Sequence, residues 1–350
     1  MIAHILASFF PNPEQFTAVP FGTGLINRTW KVSSPDKVYI LQKINHNIFR
    51  HPSDIAYNIS AIANYLQVNA PGYQFVAPVK NLSGEELTFV ADDGYYRLFP
   101  FVAGSHTIDI VTTPGEAFEA AKQFALFTKI LSGFDAMQLK CTLPDFHNLG
   151  FRYKQFTDAL AHGNEMRREE SAAAITYLQS QKNLADIYDS LLSDNDFKQR
   201  VTHHDTKISN VLFNDQNKAL CVIDLDTVMP GYFISDVGDM MRTYLSDASE
   251  EETDFDKINV RDEFFKAIVA GYMSEMRDAL TDIEKQYFFY AGQFIIYMQA
   301  LRFITDYLNN DVYYTPKYEK HNYNRGLNQI RLLQELNKKE PVYKDLISSL

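Results

Sequence analysis

Cysteine is scarce in this chain. Cys141 and Cys221 are the only two in 350 residues and share no short spacing. That excludes a zinc site built on paired cysteines and argues against a disulfide framework. Cys141 is followed by "TLPD", so the Cys/Ser-x-Pro-x-Arg pattern of a sulfatase is missing too. Basic charge is also in deficit, with 33 Lys and Arg against 44 Asp and Glu, a net of -11. A nucleic-acid backbone binder needs a basic surface, so no nucleic-acid partner is expected. A nucleotide needs only a few local cations and stays open. No uncharged apolar run reaches 18 residues, so no membrane span is expected. The opening "MIAHILASFFPNP" lacks a basic start and breaks at Pro11; it reads as an amphipathic helix packed on the body, not a secretion signal. Repeats, low-complexity tracts and long linkers are missing as well. These absences describe a soluble, cytoplasmic protein, for which a monomer is a plausible state. Its length exceeds one typical core and favours two lobes.

What is present divides in two. Residues 15 to 101 read mostly as strands. "RTWKVSS" alternates Trp30 and Val32 with Lys31 and Ser33, Ser34-Pro35-Asp36 turns the chain, and "KVYILQK" returns as the second strand of a hairpin. "HPSDIAYNISAIANYLQ" reads as a helix, with Ser53 as its cap and Ile55, Ile59, Ile62 and Leu66 on the buried side. "ELTFVADDGYYRLFPFV" is a second hairpin turning at Asp93-Gly94. After Gly104 apolar residues recur at three and four, as in "PGEAFEAAKQFALFTKIL" and "EKQYFFYAGQFIIYMQALRFITDYL", and the chain reads as helices. The exception is 201 to 240, where "VLFN" and "ALCVID" flank the turn Asp215-Gln216-Asn217. The expected division is a lobe over 1–101 and a larger lobe over 102–350.

Within that exception lies "VTHHDTKISNVLFND", followed by "CVIDLDTVMPG". Phosphoryl transfer is mostly positioning and charge stabilisation: a carboxylate for the attacking hydroxyl, oxygen ligands for a divalent ion, and a cation near the transferred group. Asp205 fits the first need. Asn210 and Asp224 are hard oxygen donors suited to Mg2+. Lys207 fits the third. Asp205 and Asn210 keep the Asp-x-x-x-x-Asn spacing of a kinase catalytic loop. A hairpin of "VLFN" and "ALCVID" would close Asn210 on Asp224. His203 and His204 read as structural, hydrogen-bonded residues rather than metal ligands.

The first half offers a phosphate cradle in "FGTGLINRTW", where Gly22, Thr23 and Gly24 lie between two strands. Lys43 ends the next strand, where a lysine would meet nucleotide phosphates. "YRLFPF", with Arg97 and Phe99, leads into the helical half and would form the edge that receives adenine. Arg302 stands between Leu301 and Phe303 in an apolar stretch. Its options are a ligand or an intrahelical pair with Asp306 at i+4. Tyr313 can stack on a sugar face, or simply pack.

Taken together, "FGTGLINRTWKV", "YILQKINHNIF", "YYRLFPFVAGSHTID", "HHDTKISNVLF", "CVIDLDTVMPG", "SDVGDMMRT" and "LRFITDYLNNDVYY" resemble the aminoglycoside phosphotransferase and choline kinase-like superfamily, and within it the N-acetylhexosamine 1-kinase subgroup. General members carry His-Gly-Asp where this chain has His204-Asp205 directly after His203. The resemblance implies an α+β, bilobal, protein kinase-like fold, with an antiparallel-sheet lobe before a larger, mainly helical one. It implies ATP and Mg2+ as cofactors, with the anomeric hydroxyl of N-acetylglucosamine or N-acetylgalactosamine as acceptor. Asp205 would be the base and Asn210 and Asp224 the metal ligands. Asn27, Lys207, Arg302 and Tyr313 would contact the sugar. His204, Asp226 and Asp236 would support this set, Asp236 by bracing the catalytic loop. Two departures stand out. Leu25 occupies a position where a histidine is expected, and the helix after Lys43 lacks the glutamate that would pair with it, Tyr57 standing there instead. Two other readings remain open: the same fold acting on an amino-alcohol, a thioribose or an aminoglycoside, and a nucleotide-binding protein without catalysis.

Overall fold

The computed structural model describes residues 2–22 and 26–349. Within them, the first half is built on one five-stranded antiparallel sheet, ordered β1-β2-β3-β5-β4. Its strands are β1 (Thr17–Pro20), β2 (Arg28–Ser33), β3 (Val38–Ile44), β4 (Thr88–Val90) and β5 (Gly94–Pro100). Helix α1 (Ile2–Leu6) lies against it, and α2 (Pro52–Asn69) follows β3. Pro52, with its fixed φ and no N–H to lose, starts α2 behind His51; Ser53 is not the cap. The β4–β5 turn lies one residue earlier than expected: Val90 pairs with Gly94, and Asp92 takes the left-handed conformation at φ 62°.

The second half begins with β6 (Ser105–His106) and α3 (Pro114–Ile130). Thr113 and Glu116 close a capping box at the start of α3. Next come α4 (Leu149–His162), α5 (Glu165–Glu170), α6 (Ala172–Ser180) and α7 (Asn183–Leu191). Short strands β7 (Arg200–Thr202), β8 (Val211–Asn214), β9 (Ala219–Val222) and β10 (Met229–Gly231) interrupt the helices. The remainder is α8 (Phe233–Tyr244), α9 (Asp262–Met276), α10 (Asp282–Gln286), α11 (Phe288–Leu308), α12 (His321–Lys338) and α13 (Glu340–Ser348). This is the expected α+β architecture.

Apolar side chains form two cores. The smaller joins Ile5, Leu6 and Phe9 to one face of the sheet through Val32, Leu41, Tyr96 and Leu98. The larger runs through α3, α8, α9 and α11. Helix α2 belongs to the larger core: Ile55, Ile59, Ile62 and Leu66 face it as expected. A division at residue 101 would group α2 with the sheet, but its apolar face packs with the helices. Asn58, fully buried on that helix, secures the attachment. Its amide donates to Lys140 O at 2.8 Å and Val228 O at 2.9 Å and accepts from Lys140 N at 2.7 Å. Helix α8 is pressed onto α11 just as closely, since a Cβ on Gly238 would meet Ala291 O at 2.2 Å. That packing fixes the helix on which the loop from His203 to Asn210 rests. No described helix is long and apolar enough to cross a membrane.

Candidate active site

The loop between β7 and β8 is held by backbone hydrogen bonds to two carboxylates of α8. Asp236 and Asp239 are three apart and share one helix face. Asp236 accepts from His203 N at 3.1 Å and His204 N at 2.7 Å; Asp239 accepts from Thr206 N at 2.8 Å. Thr206 Oγ1 donates to Asp236 O, Tyr244 OH to Thr206 O, and Thr227 Oγ1 to His203 O. Both carboxylates are buried, which costs free energy unless hydrogen bonds replace water. Burial pushes the Asp236 carboxyl up to about 7, against the pull of the two N–H donors. Thr206, Thr227, Tyr244 and Asp239 complete a brace in which the sequence analysis had named only Asp236. The three-residue spacing of Asp236 and Asp239 was the available signal.

The brace presents Asp205 with Lys207 Nζ 3.0 Å from its Oδ1. Burial raises the Asp205 carboxyl, but the Lys207 charge and hydrogen bond outweigh it and leave the group below the usual range. Asn210 Nδ2 donates to Asp205 O at 2.9 Å, which leaves its Oδ1 as the available donor atom. The β8–β9 hairpin turns at 215–217 as expected, and Ile223 N donates to Asn210 O at 2.9 Å at its open end. One residue on, Asp224 takes a left-handed conformation at φ 59° and projects into the open. Crowding by nearby protein atoms, then the charges of Asp226 and Asp205, raise the carboxyl of this exposed residue despite Arg97 and Lys207. A carboxylate so short of countercharge, beside a free amide oxygen, is a hard-oxygen set that suits Mg2+. That ion takes one or two protein ligands and completes its shell with water and phosphate oxygens. Among the described residues no group of three or more His, Cys, Asp or Glu offers another metal site.

On the sheet side two expectations change. Lys43 shares a face of β3 with Leu41, the face that packs on α1, and it pairs with Asp93. Tyr96 OH binds the same carboxylate at 2.7 Å. Asp93 thus takes the place of the missing helix glutamate as the partner of Lys43, on the face of the sheet covered by α1. Arg97 lies on the opposite face, buried, with Nη2 2.5 Å from Asp226 Oδ1 and two donors on Gln42 Oε1. Its side chain therefore stands at the junction of the two halves. Phe99 shares that face, its ring 5.0 Å from the Arg97 guanidinium. Asn27 is also committed elsewhere: Nδ2 donates to Asp226 Oδ2 at 2.8 Å and Oδ1 accepts from Asn45 N at 3.0 Å. With both ends of its amide engaged, it does not reach for a sugar. Gly22 is left-handed at φ 78°. Thr23, Gly24 and Leu25 lie outside the described residues.

A family model described as "Phosphotransferase enzyme family" matches residues 17–277. The chain belongs to that family. The phosphotransferase is similar over nearly its whole length to several solved structures. An aminoglycoside phosphotransferase from Alicyclobacillus acidocaldarius is 13% identical at TM-score 0.65, with 98% of this chain and 95% of that one covered. A microcompartment-associated aminopropanol kinase is 15% identical at TM-score 0.64, with 98% of each chain covered. A spectinomycin phosphotransferase, solved in complex with ADP and spectinomycin, is 11% identical at TM-score 0.57, covering 92% of this chain and 93% of its own. At such identities the likeness establishes the fold.

The remaining expected residues of the phosphotransferase lie on a second wall. Arg302, on α11, has no carboxylate partner among the described residues. Asp306 is spent on Tyr313 N and Tyr314 N, both at 2.8 Å, and on Asn322. The Arg302 guanidinium is ringed instead by Phe146, Tyr313 and Tyr314 at 5.5 to 5.8 Å and donates to Gln299. Tyr313 is 70% exposed, so its ring is free to meet a ligand. Sequence reasoning missed Arg152 and His147 here. Arg152 Nη2 donates to Asp145 O at 2.8 Å and Nη1 to Gln155, while Nε is buried without a partner. Burial and the Arg302 charge depress its pKa. His147 stacks on Phe146 at 4.4 Å, and its Nδ1 lies 3.3 Å from His204 Nδ1. Burial, His204 and both arginines hold His147 neutral. The wall with two arginines therefore adjoins the catalytic loop through His147 and His204.

Proposed function

We propose that this phosphotransferase transfers the γ-phosphoryl group of ATP to the anomeric 1-hydroxyl of an N-acetylhexosamine. Asp205 receives the hydroxyl proton as the sugar oxygen bonds to phosphorus and the β–γ bridge breaks, releasing ADP and the sugar 1-phosphate. Lys207, beside Asp205, faces the group in transit. Asn210 and Asp224 would hold Mg2+, which when bound neutralises charge on the phosphates. Arg302 and Tyr313 orient the sugar. Residues 1–101 and 102–350 serve as the two lobes, with α2 carried by the second.

The observation supporting this acceptor is Arg302. Amino-alcohols and aminoglycosides bring ammonium groups, for which aromatic rings are good partners. Here the rings already enclose a guanidinium, a second arginine adjoins it, and among the described residues neither forms a salt bridge, the Asp145 charge reaching Arg152 only from a distance. Such a wall repels a cation and offers donors to hydroxyl and acetamide oxygens. The test is incubation with ATP, Mg2+ and a panel of sugars, choline, aminopropanol and aminoglycosides, followed by phosphorus NMR. A hexosamine 1-phosphate doublet is expected. Turnover confined to an amino-alcohol or aminoglycoside refutes the sugar acceptor, and ATP binding without turnover on any acceptor refutes catalysis.

A further inference from the structure

We propose that Arg97, held in place by Asp226, is the cation that the sheet offers to the nucleotide phosphates, and that Lys43 has no part in nucleotide binding. The inference rests on the nucleotide-dependent reading above. Successive residues of a strand face opposite sides of the sheet, so of two neighbouring positions only one can face the catalytic loop. In the register observed, Lys43 pairs with Tyr96 and Gln42 with Arg97. Lys43 and Tyr96 share the face covered by α1, where Asp93 binds both. Gln42 and Arg97 share the other. Of the cations on that face, Lys31 stands over the Phe101 ring, whereas Arg97 reaches across the junction to Asp226, two residues beyond Asp224, and its charge is felt at the Asp224 carboxyl.

Arg97 is also incompletely satisfied. It is 2% exposed, Nη2 and Nε have partners, and Nη1 is buried with none. A buried guanidinium N–H without an acceptor is costly, and an arriving phosphate oxygen would relieve it. Asp226 and Gln42 aim the group: Asp226 is itself fixed by Asn27 and, through its carbonyl, by Thr142 at 2.8 Å. The fork is thus held in one orientation beside Asp226, two residues along the chain from Asp224.

The test is calorimetric titration of the full chain with Mg·ADP and, separately, with adenosine. Removing Arg97 alone would leave Asp226 as an uncompensated buried charge. The informative comparison is therefore Arg97→Met/Asp226→Asn against Asp226→Asn, with Lys43→Met alongside. Loss of a charge-assisted contact to phosphate predicts about tenfold or more weaker Mg·ADP binding in the double variant, with adenosine changed by less than about threefold. Lys43→Met is expected to bind both within about twofold of the parent. A parallel loss of Mg·ADP and adenosine would mean Arg97 only supports the fold, and a phosphate-specific loss in Lys43→Met would return the role to that lysine; either overturns the proposal. Failure of the parent protein to bind either ligand would instead remove the nucleotide-dependent reading, and the proposal with it.

Discussion

The sharpest internal test of the catalytic loop concerns a residue outside it. Gly231 ends β10, paired with Arg200 of β7, in a conformation any residue could adopt. Only space forbids a side chain. A Cβ there would lie 2.4 Å from His204 Cε1, 2.5 Å from Nε2 and 3.0 Å from Thr202 Cβ. His204 is buried, left-handed at φ 67°, and anchored through its N–H to Asp236, so its ring has nowhere to turn. Gly231→Ala should therefore cost about 1–3 kcal/mol of overpacking and, by shifting the residue beside Asp205, lower kcat. His204→Gly removes the ring and also relieves a left-handed strain worth about 1–2 kcal/mol, offsetting the packing it loses. In that background the nearest of those three atoms left to the added methyl is Thr202 Cβ at 3.0 Å, a tight contact that a small shift relieves. Gly231→Ala should then be close to neutral, aided by about 0.4–1 kcal/mol from the stiffer unfolded chain. Equilibrium urea unfolding of the four proteins measures the coupling, expected at about 1–3 kcal/mol. Additivity of the two substitutions within about 0.5 kcal/mol would show that the glycine does not exist to make room for the histidine.

Other expectations follow from the same geometry. Asp205→Asn should lower kcat by at least about a hundredfold with nucleotide affinity little changed; near-normal kcat would remove it as the base. Arg302→Ala should chiefly raise the sugar KM, and a rise confined to the ATP KM would misplace the acceptor wall. His204 has its pKa pushed down to about 3, by burial first and then by His203, so its stabilising neutral form is fully compatible with the fold above the unfolded value near 6.5. Stability is lost as pH falls through that window. Between pH 7 and 5 the parent should lose roughly 2 kcal/mol more than His204→Gly in parallel urea titrations. Equal losses would mean the ring is solvated.

Legibility followed the distance over which each feature is decided. The run from His203 to Asn210 and the hairpin to Asp224 could be read because every participant lies on one local segment, and the structure adds Asp239 beside the expected Asp236 brace. The sheet cation could not. Both faces of β3 are apolar, Tyr39 and Leu41 on one and Ile40 and Ile44 on the other. Period-two alternation sorts Lys43 from Gln42 but does not say which face meets the second half. That choice depends on α1 covering one side, a contact between segments distant in sequence. Asn58 was passed over for a similar reason: on a helix read by its isoleucines it is one polar residue, and its partners lie 82 and 170 positions away.

These long-range bonds share a direction. Asn58 ties α2 to the helical half at Lys140 and Val228, and Thr142 and Asn27 reach Asp226 from either side, with Arg97 completing the set. Apart from the two bonds between Asn58 and Lys140, every tie ends on Asp226 or Val228. On the proposed function a bound nucleotide would touch the segment from Asp224 to Val228 at Asp224, so the residues that join the two halves would also fix the position of the proposed metal ligand. Movement of the sheet against the helices would carry the penalty of exposing or unpairing Asp226, a buried carboxylate with an arginine partner. On this physics the junction between the halves is a preset part of the site, and substitutions at Asn27, Arg97 or Asp226 should register in phosphate-group binding before they register in the acceptor.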